Sequence, residues 1–139
     1  MNRAEVLKNL RNAGTFYLTT VDEEHKPKAR PYGFLMDYNG KLCFTTNENK
    51  PTYKQLMGNP YVELVAMTSQ FGWLRVSGRA VKVTTGDACG RALSEMPMLA
   101  QNYAVYGGKF DVFALEEAVA DYYTFNEKGE IIKQSEHLD

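Results

Sequence analysis

Apolar residues along this chain follow two spacings, one helical and one alternating. From Arg3 to Asn12, Val6, Leu7 and Leu10 share a face while Arg, Lys and Asn occupy the other, which predicts a short amphipathic helix. Gly14 is a stop signal, and Phe16-Tyr17-Leu18-Thr19-Thr20-Val21 is dense in β-formers, so the first strand is expected there. The polar turn Asp22 to Pro27 leads into an extended run from Ala29 to Met36. Asn39-Gly40 then marks a two-residue hairpin into Leu42-Cys43-Phe44-Thr45-Thr46.

From Asn47 the pattern turns helical again. Capping residues precede Pro51, a residue tolerated in a first helical turn, and the helix is expected to end at Gly58-Asn59-Pro60. Tyr61 to Thr68 and Trp73 to Thr84 supply two more strands, joined tightly by Ser69-Gln70-Phe71-Gly72. Gly86 to Met96 reads as a helix, and Pro97 to Gly108 as irregular and tyrosine-rich. Phe110 to Leu115 and Val119 to Phe125 read as closing strands before a charged tail.

Seven antiparallel strands with inserted helices predict a single mainly-β domain over residues 1–139. Such a chain can close into a small antiparallel, Greek-key-type barrel that leaves no long open edge.

Composition narrows the function. With 16 basic against 17 acidic side chains, no net positive field is available for a nucleic-acid backbone, so no nucleic-acid partner is expected. No apolar run is long enough for a membrane helix and Met1 to Ala13 lacks a secretory pattern, so a cytoplasmic location without a membrane partner is expected. Cys43 and Cys89 lack metal-ligand spacing and read as small apolar residues, and neither His25 nor His137 has a ligand neighbour. No metal site is expected.

Two segments carry candidate chemistry. In Pro27-Lys28-Ala29-Arg30-Pro31-Tyr32-Gly33-Phe34 a strand bears a guanidinium suited to phosphate, and then a glycine that admits a ligand or a backbone. Taken alone, a surface charge beside a bulge is the commoner reading. In Thr45-Thr46-Asn47-Glu48-Asn49-Lys50-Pro51-Thr52-Tyr53-Lys54, hydroxyls and lysines gather at a helix start, where free N–H groups favour an anion. Taken alone, that segment reads more readily as a plain capped helix with two solvated lysines. Neither GxxxxGK[ST] nor GxGxxG is present, which excludes a P-loop and a dinucleotide fingerprint.

Taken in order, these segments resemble the pyridoxamine 5′-phosphate oxidase-like family of FMN-binding split β-barrels, and its small nitroimidazole-resistance-like branch. The likeness rests on Thr19-Thr20-Val21 with Pro27 and Arg30 to Phe34, on Phe44-Thr45-Thr46, on Thr52 to Leu56 with Asn59-Pro60, and on Trp73 to Ala80. It implies a cofactor site formed by Arg30, Pro31, Tyr32, Gly33, Phe34, Phe44, Thr45, Thr46, Lys50, Thr52, Tyr53, Lys54 and Trp73.

By that resemblance Arg30 and Lys54 converge on the FMN phosphate, Thr45 and Thr52 donate hydroxyls, and Gly33 lets the ring approach the backbone. Trp73 stands where relatives often carry a glutamine near the ring, and Tyr53 replaces the arginine of a Ser-Arg-Lys phosphate motif. The resemblance further implies a homodimer with the flavin between subunits, Tyr103 and Tyr106 being candidates for the partner's wall. Core cover or interface filling accounts for those tyrosines just as well.

The implied activity is an FMN-dependent oxidoreductase passing electrons from a reduced nicotinamide or other donor to a small acceptor. The chain ends Ile131 to Asp139 without the tryptophan and arginines of true pyridoxamine phosphate oxidases, so vitamin B6 oxidation is not expected. A non-catalytic carrier of flavin, deazaflavin or haem is the alternative. A more remote one is a barrel that stacks single-stranded nucleic acid on Tyr32, Phe34, Phe44 and Trp73.

Overall fold

The computed structural model describes residues 1–69 and 71–139. Gln70, within the expected tight connection after Thr68, lies outside the described residues. The chain runs α1 (Arg3–Ala13), β1 (Phe16–Val21), β2 (Pro27–Tyr32), β3 (Met36–Tyr38), β4 (Lys41–Thr46), α2 (Pro51–Gly58), β5 (Tyr61–Met67) and β6 (Trp73–Lys82). It continues through α3 (Gly86–Glu95), α4 (Leu99–Asn102), a 3-10 turn (Ala104–Tyr106), β7 (Asp111–Phe125) and β8 (Ile131–His137).

The strands form one antiparallel sheet in the order β2-β1-β5-β6-β7-β4-β3, with β8 added to β7. The sheet curls around a core without closing: β2 and β3 are the two ends of the strand order, linked by the short segment Gly33–Leu35 rather than by a ladder, and β8, paired only with β7 among the described residues, is a further edge. This corrects the expectation of a closed barrel and of one extended run from Ala29 to Met36. Two of these edges are blunted instead, β3 by its shortness and β2 by Pro27 and Pro31, which lack N–H donors.

Two hydrophobic clusters lie on either side of β4 and the first half of β7. Leu42, Phe44, Phe113 and Leu115 point into the curl with Leu18, Leu64, Leu74 and Val76, while Cys43, Val112 and Ala114 face Ala88, Ala92, Leu99 and Tyr103 of the helical layer. Burial on both faces explains why β4 reads as an unbroken apolar run rather than an alternation. Helix α1 begins with a capping box between Asn2 and Glu5 and lays Val6 and Leu10 into the first cluster.

The two closing strands expected from Phe110 to Phe125 are one strand. The polar Glu116-Glu117 step marks a bulge opposite Gly78, where the β6–β7 register shifts between Ser77 and Arg79 and Glu117 adopts a φ of 55°. A Cβ on Gly78 would stand 3.2 Å from Glu116 O, so the close approach of the strands calls for glycine. The charged tail is also a strand: β8 pairs Ile131–His137 with the second half of β7. All its residues are exposed, so it carries no alternation to read. The expected irregular stretch after Pro97 contains α4 and the 3-10 turn.

Candidate functional site

The mouth of the curl beneath α2 gathers polar groups that the core would otherwise reject. Arg30 and Tyr32 lie on the inward face of β2, since Arg30 pairs with buried Leu18 of β1. Helical spacing turns Thr52, Gln55 and Leu56 of α2 toward the same space, Thr52 and Leu56 being buried. An aromatic series crosses the mouth. Phe16, Tyr32, Phe44, Phe113 and Tyr53 follow one another with centroids 6.0, 5.8, 5.9 and 5.8 Å apart.

Arg30 is held in place but not neutralised. Its Nη1 donates to Thr20 Oγ1 at 2.8 Å and to Leu18 O at 3.2 Å, and its Nη2 donates to Gln55 Oε1 at 2.8 Å. Thr20 Oγ1 donates in turn to Gln55 Oε1. Among the described residues no carboxylate pairs with Arg30, Lys50 or Lys54. Desolvation lowers the Arg30 pKa from its usual value, with Tyr32 opposing.

Tyr32 completes the cluster. Burial raises its phenol pKa, against the pull of the Thr46 hydroxyl, the Arg30 charge and the Thr52 hydroxyl. Thr46 Oγ1 is fully buried yet finds no partner in hydrogen-bonding geometry. A half-buried cation without a counter-charge among the described residues, beside a buried Thr46 hydroxyl whose neighbour is the Tyr32 phenol, leaves this mouth short of an acceptor-rich group.

The expected site residues separate into groups. Arg30, Tyr32, Thr46 and Thr52 come together at the mouth. Thr45 does not join them, because strand alternation turns it to the helical layer, where its hydroxyl meets Tyr103 OH at 3.1 Å. Phe44 is core, and Tyr53 packs on Phe113 and accepts from Lys82 Nζ at 3.0 Å. Lys50 is the N-cap of α2 without a side-chain cap bond, which corrects the capped start expected from Asn47 to Asn49, and its Nζ lies 5.3 Å from the Tyr103 ring centroid.

Lys54 is exposed and lines a groove of about 480 Å³ between α2 and the β1–β2 turn, whose walls include Val21, Asp22, His25, Pro51 and Gln55. Arg30 is not in that wall; Gln55 belongs to both settings. At Gly33 an added Cβ would meet only Gly14 O at 3.9 Å, so the space before it is open, and Pro31 beside it is exposed while Phe34 is buried in the second cluster. Trp73 stacks on Tyr123 at 4.7 Å, at the opposite end of β6 from Lys82 and Tyr53, about 30 Å away at strand rise. One chain does not bring it to the mouth.

Thr20 and Gln55 were not among the residues expected from sequence. The helical stripe Thr52, Gln55, Leu56 could have singled out Gln55, and Thr20 follows Phe16 and Leu18 on the inward face of β1.

Tyr103 is 5% exposed in its own chain and packs on Phe110, and Tyr106 packs against the same cluster. Burial, the largest cause, pushes the Tyr103 phenol up to about 12. The folded state therefore holds this proton more tightly than the unfolded chain. The resulting stability is whole below the ordinary value of 10 and is lost as pH rises toward about 12. Thermal melts across that window are expected to show the loss in the parent, and a smaller loss in Tyr103→Phe.

A curled antiparallel sheet split along one side, with helices over its mouth and one face, defines the split-barrel class. The chain belongs to the pyridoxamine 5′-phosphate oxidase family, whose model matches residues 3–125. Among solved structures, a NimC/NimA family protein from Clostridium acetobutylicum is 31% identical with a TM-score of 0.82, covering 95% of this chain and 90% of that one. A pyridoxamine 5′-phosphate oxidase-related, FMN-binding protein from Nostoc punctiforme has a TM-score of 0.58 at 17% identity, covering 97% and 96%. HutZ, the haem storage protein of Vibrio cholerae, has a TM-score of 0.59 at 15% identity, covering 82% and 88%. A search of curated proteins by sequence returns no match. No helix among the described residues is long and apolar enough to cross a membrane.

Proposed function

We propose that the chain binds FMN as a homodimer and acts as an oxidoreductase between a reduced nicotinamide, or another donor, and a small acceptor. The observation that carries the reading is Arg30: a half-buried guanidinium fixed by Thr20 and Gln55, facing no carboxylate among the described residues. A phosphate monoester supplies the missing charge and the acceptor oxygens that this donor set lacks. Arg30 with the Thr46 and Thr52 hydroxyls serves one side of that group, and Lys54 serves the other. Open space at Gly33 leaves room for a flat ring along the β2 end.

When bound, the flavin supplies the electron-transfer chemistry, and the protein's part is to orient it and exclude water. The aromatic series from Phe16 to Tyr53 stiffens the wall behind the site. Trp73 reaches a ring only from a second copy. The uncovered sheet face supports such a copy, since Tyr17, Met67, Phe71, Phe125 and Ile131 are all exposed there or at its rim.

Absorbance of the purified protein tests the reading. Oxidised-flavin bands, and FMN identified by mass after release, are expected; a colourless protein that stays so with added FMN refutes it. Anaerobic bleaching by NADH or NADPH separates an oxidoreductase from a non-catalytic carrier. A haem or deazaflavin spectrum would instead assign the barrel to another cofactor.

A further inference from the structure

At the split, guanidinium groups stand where the ladder between β2 and β3 is missing. The β3–β4 hairpin has a two-residue turn, Asn39-Gly40, with φ of 50° and 77°, which makes Tyr38 and Lys41 a hydrogen-bonded pair. By alternation Asp37 O, and Leu35 O two residues before it, face away from β4. Both carbonyls meet arginines. Arg11 donates to Leu35 O from Nε at 3.2 Å and from Nη2 at 2.9 Å, and Arg91 Nη2 donates to Asp37 O at 3.2 Å. Glu95 joins the two, its Oε1 accepting from Arg11 Nη2 and its Oε2 from Arg91 Nε. The ends of α1 and α3 thus grip the free edge of β3 as a neighbouring strand would.

Packing holds only the inner side of the link that crosses the split. Tyr32 and Leu35 pack with the first hydrophobic cluster and Phe34 and Met36 with the second, so the chain passes from one to the other around Gly33. On its outer side lies a hollow of about 390 Å³, lined by Arg11, Gly33, Phe34, Leu35, Glu95 and Met96. No close-packed layer backs the link there, and the Arg11 fork is what reaches its backbone. The ion pairs are open to solvent, with Arg11 and Arg91 47% and 51% exposed, so they add little to global stability. Their effect is local.

We propose that Arg11, held by Glu95, is a positioning residue: it fixes the Gly33–Leu35 link across the split and so sets the seat of the flat ring beside Gly33. The inference rests on the flavin reading for the ring alone, because Arg11 holds the link in the chain by itself. An arginine is required, since its planar fork serves Leu35 O and Glu95 together, whereas a lysine ammonium keeps the charge without that geometry.

Amide hydrogen exchange on the ligand-free full chain, paired with flavin titrations, tests this. In Arg11→Met the amides from Phe34 to Asp37 are expected to exchange about tenfold faster, the scale of one good hydrogen bond, while those of β1 and β5 keep their protection. FMN and riboflavin are expected to weaken by the same factor, about tenfold, because the ring is common to both, and the visible band of the bound flavin should change shape. Arg11→Lys is expected to behave like Arg11→Met. Unchanged exchange at the link, a uniform rise in exchange across the sheet, FMN weakened without riboflavin, or full rescue by lysine overturns the proposal. If the link loosens as expected but neither flavin binds the parent protein, the hold of Arg11 on the link stands and the flavin reading falls. If flavin binds the parent and its affinity and spectrum are untouched in Arg11→Met, the positioning role alone falls.

Discussion

Arg30→Met is expected to weaken FMN binding by about 100-fold while leaving the ligand-free fold as stable as the parent, or slightly more so. A hydrogen bond to a charged group contributes about 1.5–3 kcal/mol, so loss of the guanidinium at a phosphate reaches that scale. The methionine keeps an apolar stem in the mouth and removes a desolvated cation for which the described residues supply no carboxylate. Thr20 and Gln55 still bond to each other, so no buried donor is stranded there. Paired measurements check both halves: flavin fluorescence titration for affinity and denaturant melts of the ligand-free protein for stability. A variant that unfolds more easily and binds FMN unchanged would make Arg30 a structural strut.

Phe113→Ala is expected to do the reverse, and with the larger energy. Phe113 is fully buried, stacked on Phe44 at 5.9 Å and met edge-on by Tyr53 at 5.8 Å. Truncating a core phenylalanine costs about 3–5 kcal/mol, against a total of about 5–15 for a domain. The denaturant midpoint is therefore expected to fall steeply with little change in slope. Flavin binding should weaken only as far as the loosened seat of α2 allows, and saturating FMN should restore part of the lost stability.

Much of this architecture was legible where each face of an element meets a different environment. The α1 stripe of Val6 and Leu10, the dense β1 and the doubly buried β4 all announce themselves. Two features do not. The Glu116-Glu117 step looks like a turn because a bulge exposes polar side chains just as a turn does, and only the neighbouring strand shows that pairing continues. The wholly exposed β8 is set by backbone pairing to β7, which leaves no trace in side-chain pattern.

The site divides along similar lines. Arg30 and the α2 segment could be singled out from residue type and order. The partners of Arg30 could not, because Thr20 and Gln55 stand 10 and 25 residues away and meet it only through the curl of the sheet. Thr45 and Thr46 show the limit most simply: adjacent hydroxyls of equal chemistry serve opposite faces, and only the register of β4 decides which one sees the mouth.

That register has a wider effect. Alternate side chains of β4 and of the first half of β7 belong to different hydrophobic clusters, so neither cluster has strands of its own to retain when the other melts. Loosening the helical layer strips one face of the same strands whose other face lines the mouth of the curl. The chain accordingly has no separable half: it should lose its structure in one step, and a ligand seated at one end should protect amides at the other.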